Sequence, residues 1–191
     1  MTKRHGSIFF FILAIFFLIS PTSSANAADN AEVTDIHADQ GEGYLNVRFR
    51  LQNCFTPEME EAIWSGVPTT FRILIILEEP GWPLFRKRLL DVVLEHTIKY
   101  DLLKNVFRVH CPEATEKLRT TTSIEEAKTW MSTVSDLSLT PLWRLEKGEQ
   151  YRLYVKAELS KVDLPLFFRY VLFFVSLWDF ETDWQSITIT P

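Results

Sequence analysis

Apolar and polar residues alternate over long stretches of this chain, the pattern of strands with one buried face. In "YLNVRFRLQNC" (44–54), Leu45, Val47, Phe49 and Leu51 share a face, and a continued pleat would put Cys54 on the polar one. In "YRLYVKAEL" (151–159), Tyr151, Leu153, Val155, Ala157 and Leu159 oppose Arg152, Lys156 and Glu158. The run "TTFRILIILEE" (69–79) is apolar on both faces through Phe71, Ile73, Leu74, Ile75 and Ile76, which predicts a central strand covered on both sides. Turn signals separate these segments: "DQGEG" at 39–43, "EEPGWP" at 78–83 and "EKGEQ" at 146–150.

Two stretches switch to helical spacing. In "TPEMEEAIWSG", Thr56 is the expected N-cap, Pro57 occupies the first helical position and Gly66 supplies a left-handed ending; Met59, Ala62 and Ile63 form the core stripe. In "TSIEEAKTWMSTV", Ser123 and Glu126 form a capping box, with Ile124, Ala127, Met131 and Val134 on one face. The expected fold class is therefore mainly β: an antiparallel β-sandwich with immunoglobulin-like layers, roughly seven or more strands and two short helices.

The ends of the chain change the picture. Lys3 and Arg4 precede twelve apolar residues from Ile8 to Ile19, followed by Pro21 and an Ala25-Asn26-Ala27 site. This is the secretory leader pattern, and the apolar run is short for a bilayer span. Residues 1–27 are expected to be a signal peptide and residues 28–191 a single β-rich domain, periplasmic or secreted. The formal charge of −5 becomes −7 once Lys3 and Arg4 leave with the leader, which argues against a nucleic-acid partner. Near the other end, Leu164 to Trp178 is mostly apolar but is interrupted by Pro165 and Arg169 and closed by Asp179, so it predicts core, or a partly exposed contact groove, and no membrane span in the mature chain.

Candidate chemistry is sparse. Cys54 and Cys111 are the only cysteines, and an even pair in an oxidising compartment makes a disulfide between them conceivable. His96 and His110 lie on two strands of one hairpin. Leu90, Val92, Leu94, His96 and Ile98 share one face; Phe107, Val109 and Cys111 share the other strand's. Opposed residues share a face, so even positions of the first strand pair with odd positions of the second. That places His96 across from about Val109 and turns His110 outward. No histidine-based metal site is expected, the usual ligand spacings being absent, and no cofactor is indicated.

Asp179, Glu181 and Asp183, at spacing 2, would project to one side with Cα atoms about 6.5–7 Å apart, a separation used by inverting glycosidases. Trp178, Phe180 and Trp184 could flank a sugar, and Trp82, between Gly81 and Pro83, is a possible contact residue. No G-x-S-x-G, P-loop or G-x-G-x-x-G is present.

Three segments together, "FTPEMEEAIWSGVPTTF" (55–71), "EKGEQYRLYVKAELS" (146–160) and "FFVSLWDFETDW" (173–184), resemble the bacterial domain-of-unknown-function family 4390. The resemblance implies an exported, single-domain, β-rich protein of Gram-negative envelopes, with no established activity and no catalytic residue to carry over. The leading functional expectation is a non-catalytic interaction or binding module of the cell envelope, whose partner is an envelope protein or the periplasmic face of a membrane protein. The alternatives are a hydrolase of envelope glycan using Asp179, Glu181 or Asp183, and a carrier of a small apolar ligand.

Overall fold

A computed structural model of the chain describes residues 30–79, 81, 87–160 and 180–191. The expected leader, Trp82, Trp178, Asp179 and the apolar segment before them lie outside the described residues. The protein is mainly β, with strands β1 (Glu32–Gly41), β2 (Tyr44–Gln52), β3 (Thr69–Glu78), β4 (Arg88–Asp101), β5 (Val106–His110), β6 (Leu118–Thr121), β7 (Thr133–Pro141), β8 (Tyr151–Leu159) and β9 (Gln185–Ile189). Among the described residues two α-helices, α1 (Pro57–Trp64) and α2 (Ile124–Ser132), interrupt them, and one 3-10 turn spans Leu142–Arg144.

The described strands form two antiparallel sheets, a small one ordered β1-β2-β7 and a large one ordered β6-β5-β4-β3-β8-β9. Residues of both sheets share one buried cluster, a sandwich-like layering. Two marks of an immunoglobulin domain are missing from the described residues. β3 carries no tryptophan, and neither cysteine is in a disulfide.

Alternation decides which faces meet. Leu45, Val47, Phe49 and Leu51 of β2 share one buried cluster with Phe71, Ile73, Ile75 and Leu77 of β3 and Leu153, Val155 and Ala157 of β8. Each such aliphatic side chain withdrawn from water contributes about 1.5–3 kcal/mol, so this layer dominates the fold's stability. As its two-faced pattern predicted, β3 is central, paired with β4 on one side and β8 on the other. Its outer face is less covered: Ile76 is buried but Leu74 is half-buried.

Both helices begin as their sequences require. Thr56 Oγ1 accepts from Met59 N, Pro57 follows, and Gly66 at φ 81° ends the segment. Met59, Ala62 and Ile63 are buried, as their spacing predicted. Ser123 Oγ accepts from Glu126 N, but the Glu126 carboxylate accepts a hydrogen bond from the Thr121 hydroxyl instead of returning to Ser123. Thr121 Oγ1 in turn accepts from Ser123 N at 3.0 Å, so the box closes through an added threonine. Lys128 of α2 bonds Glu60 of α1 at 2.6 Å and links the helices.

Three local expectations change. Val134 is buried, but it belongs to β7, where it pairs with Phe49, because the helix stops at Ser132. Cys54 is buried and not on a polar face: Asn53 at φ 54° ends the pleat and turns the chain inward. The β4–β5 register pairs even with odd positions as expected, yet Val109 faces Ile98 and His110 faces Thr97. Extending that register by one step sets His96 opposite Cys111, just beyond the end of β5.

Candidate functional site

Of the residues marked by sequence, Glu181, Asp183 and Trp184 are described. They lie beside β8, where Glu181 forms an isolated bridge with Glu158. Thr182 points inward and its Oγ1 accepts from Ala157 N at 3.0 Å, so Glu181 and Asp183 project outward together, as their spacing requires. Glu181 is ion-paired to Lys156, whose ammonium also lies 5.7 Å from the Trp184 ring centroid. Tyr154 meets Trp184 edge-on at 6.5 Å. The result is a cation held between one carboxylate and one indole on an open edge.

Cys54 and Cys111 are free thiols with separate hydrogen-bond partners, so the bridge allowed by their even count is not formed in this structure. Cys54 Sγ lies 3.9 Å from Leu51 O, and burial pushes its thiol up to about 12. Cys111 Sγ points at Trp130 O of α2, 3.5 Å away.

Cys111 has polar company that sequence reasoning missed. His96 of β4 is wholly buried, and its Nδ1 lies 2.8 Å from Met131 O, a carbonyl with no proton to give, so Nδ1–H donates. Its Nε2 lies 2.9 Å from Oε1 of Glu113, whose side chain is 6% exposed. Nε2 and Glu113 Oε2 nevertheless have no aligned hydrogen-bond partner. Burial opposes the charged imidazole, but the Cys111 thiol and the Glu113 carboxylate outweigh it and raise the pKa of His96. Burial likewise opposes ionisation of Glu113, but His96 prevails and its carboxyl is held below its ordinary range. The sequence signal was an inward His96 and an inward Cys111 on paired strands; a register offset of two residues, Val109 in place of Cys111, concealed it.

A second feature is the tip of the β4–β5 hairpin, "DLLKN" at 101–105. Leu103 is 95% exposed, Leu102 60% and the adjacent Trp64 43%. The tip is braced from within: Asp101 Oδ1 accepts from Leu103 N at 3.2 Å and Lys104 N at 3.1 Å, and Arg108 holds the same carboxylate at 2.7 Å. Asn105 takes the left-handed conformation at φ 53° and accepts from the Tyr100 hydroxyl at 3.3 Å. Trp64 packs edge-on against Tyr100 and Phe107, at 4.9 and 4.7 Å. Gly66 admits Leu102 beside the end of α1, where a Cβ would come within 3.3 Å of Leu102 Cδ1. A turn is ordinarily polar, so two outward leucines in a turn were the readable signal.

Among the described residues no helix is long and apolar enough to cross a membrane. No curated protein and no solved structure matches the chain. Residues 28–188 match the family described as Domain of unknown function (DUF4390), and the chain belongs to that family.

Proposed function

We propose that this is an exported, non-catalytic interaction module of the cell envelope, and that it docks on the periplasmic face of an envelope protein through the β4–β5 tip. The leader pattern of Lys3, Arg4, the apolar run and Ala25-Asn26-Ala27 supports export, with residues 28–191 as the working domain. The observation that carries the docking role is a rigid apolar tip. Single exposed leucines mean little, but Leu102 and Leu103 are consecutive on a backbone held by the Asp101 cap and Trp64 is braced on Tyr100 and Phe107 at the base of the same hairpin, so ordering the tip against a partner costs little further backbone entropy. Glu181, now paired with Lys156, is poorly suited to act as one of two free carboxylates on a glycan, whereas the same edge with Trp184 remains suited to contact.

A photo-reactive amino acid at position 103, used in intact cells, tests this reading. One envelope protein should be captured there and none from position 147, on the exposed β-turn near Gly148. Leu102→Asp with Leu103→Asp should abolish the capture while leaving the circular dichroism spectrum unchanged. Capture of lipid alone, or co-flotation of the purified protein with vesicles, would overturn the protein partner.

A further inference from the structure

The group beneath α2 carries an inference independent of the docking surface. We propose that His96, Cys111 and Glu113 form a buried site for a thiophilic divalent transition-metal ion of the zinc class. One donor atom from each of the three residues lies within 4.8 Å of the others. Zinc bonds of about 2.0–2.3 Å set donor separations of roughly 3.3–3.7 Å in a tetrahedron, so the widest separation contracts by about 1 Å on binding while the 2.9 Å contact between His96 Nε2 and Glu113 Oε1 opens slightly to admit the ion.

Three further observations favour a ligand here over a simple polar contact. The Nδ1–H of His96 is committed to Met131 O at 2.8 Å, which leaves Nε2 as the nitrogen that faces Glu113. Backbone capture of the remote ring nitrogen is the usual support of a metal-ligating histidine. Glu113 Oε2 is buried without a hydrogen-bond partner, and Nε2 has only its unaligned 2.9 Å ion-pair contact with Oε1; an orphaned buried group costs about 1–3 kcal/mol unless something fills it. The charges also balance, because a thiolate and a carboxylate neutralise a divalent cation in a dry setting.

The donor set selects among ions. A thiolate and an imidazole discriminate against calcium and magnesium, which take oxygen, and favour zinc or cobalt. Three protein donors leave one coordination position to be filled. On binding, the ion replaces the proton of Cys111 Sγ and any proton on His96 Nε2, and both leave to solvent. The ion would tie β4 and the segment after β5 together directly beneath α2, closing the large sheet against the helix.

The test uses the folded, leader-processed protein without a histidine tag, stripped with chelator and refolded from urea in the presence of Zn2+ or Co2+ alone, so that burial does not block access. One equivalent should be retained after gel filtration, the Co2+ form should show a thiolate-to-cobalt charge-transfer band, and Zn2+ should raise the urea midpoint. Cys111→Ser should remove the band, His96→Gln should weaken binding by more than the roughly 10–100-fold that loss of an outer-shell partner costs, and Cys54→Ser should leave both unchanged. Failure of the wild-type protein to retain either ion overturns the proposal whether or not the variants fold. A band that survives Cys111→Ser and disappears with Cys54→Ser overturns it too.

Discussion

The large sheet carries two groups of polar side chains that are balanced in opposite ways. Beside β8, Glu181 at 61% side-chain exposure meets Lys156, and water screens whatever that ion pair leaves over. Beneath α2, the His96 side chain is wholly buried and that of Glu113 is 6% exposed, and Glu113 Oε2 still lacks a partner. The same residue types thus have different consequences on the two sides of one sheet. At the open edge a charge can be added or lost at small cost, whereas in the interior each atom must be matched by protein or by a bound ion.

The largest break in that comparison should come from His96→Ala. It leaves the Glu113 carboxylate buried without its cation and opens a cavity, and we expect a loss of about 3–5 kcal/mol in metal-free protein, measured by urea unfolding. A loss below about 1 kcal/mol would mean that Glu113 turns out to solvent and that the interior group is not a matched unit.

Cys54 sharpens the contrast, because it is a buried thiol that has Leu51 O for a partner in place of an imidazole and a carboxylate. Its pKa is raised from 9.0 to about 12, chiefly by desolvation, so the folded state keeps a proton that the unfolded state releases in that window. Folded protein therefore binds more protons than unfolded protein, and the contribution, complete below pH 9, falls as pH rises, by up to about 1.4 kcal/mol per pH unit. Cys54→Ala should flatten that part of the stability profile. Cys54 should also resist iodoacetamide at neutral pH until the protein is unfolded.

The sheets and helices were largely legible because their signals are local. Strict alternation in β2 and β8, the two-faced run of β3, and the Thr56-Pro57 and Ser123 caps each identify an element without knowledge of its neighbours. What failed depended on geometry between segments. Val134 continued the helical spacing of Ala127 and Met131, but β7 pairs irregularly with β2, with shifts on both sides of Val47, so its own alternation was masked. The inward turn of Cys54 hangs on the single left-handed residue Asn53. The interior group hangs on the β4–β5 loop: Asp101 pairs with Val106, so four residues form the turn, and a turn of another length would have moved His96 away from Cys111. The edge acids were readable as a shared face, but nothing in their spacing announced Lys156, which is 25 residues distant in sequence from Glu181.

The smallest expected effect is at that edge. Lys156→Ala removes both the ion pair with Glu181 and the cation over Trp184, which lies 5.7 Å from the ammonium. Exposed ion pairs contribute up to about 1 kcal/mol, and surface cation–π contacts about 0.5–1 kcal/mol. The two share one ammonium and the entropy cost of fixing it, so their sum overstates the loss. We expect less than about 1 kcal/mol, reduced further in high salt because the ion-pair part is screened. A double-mutant cycle of Lys156→Ala with Glu181→Gln isolates the ion pair. A coupling above about 2 kcal/mol would place this edge among the buried pairs and remove the contrast between the two sides of the sheet.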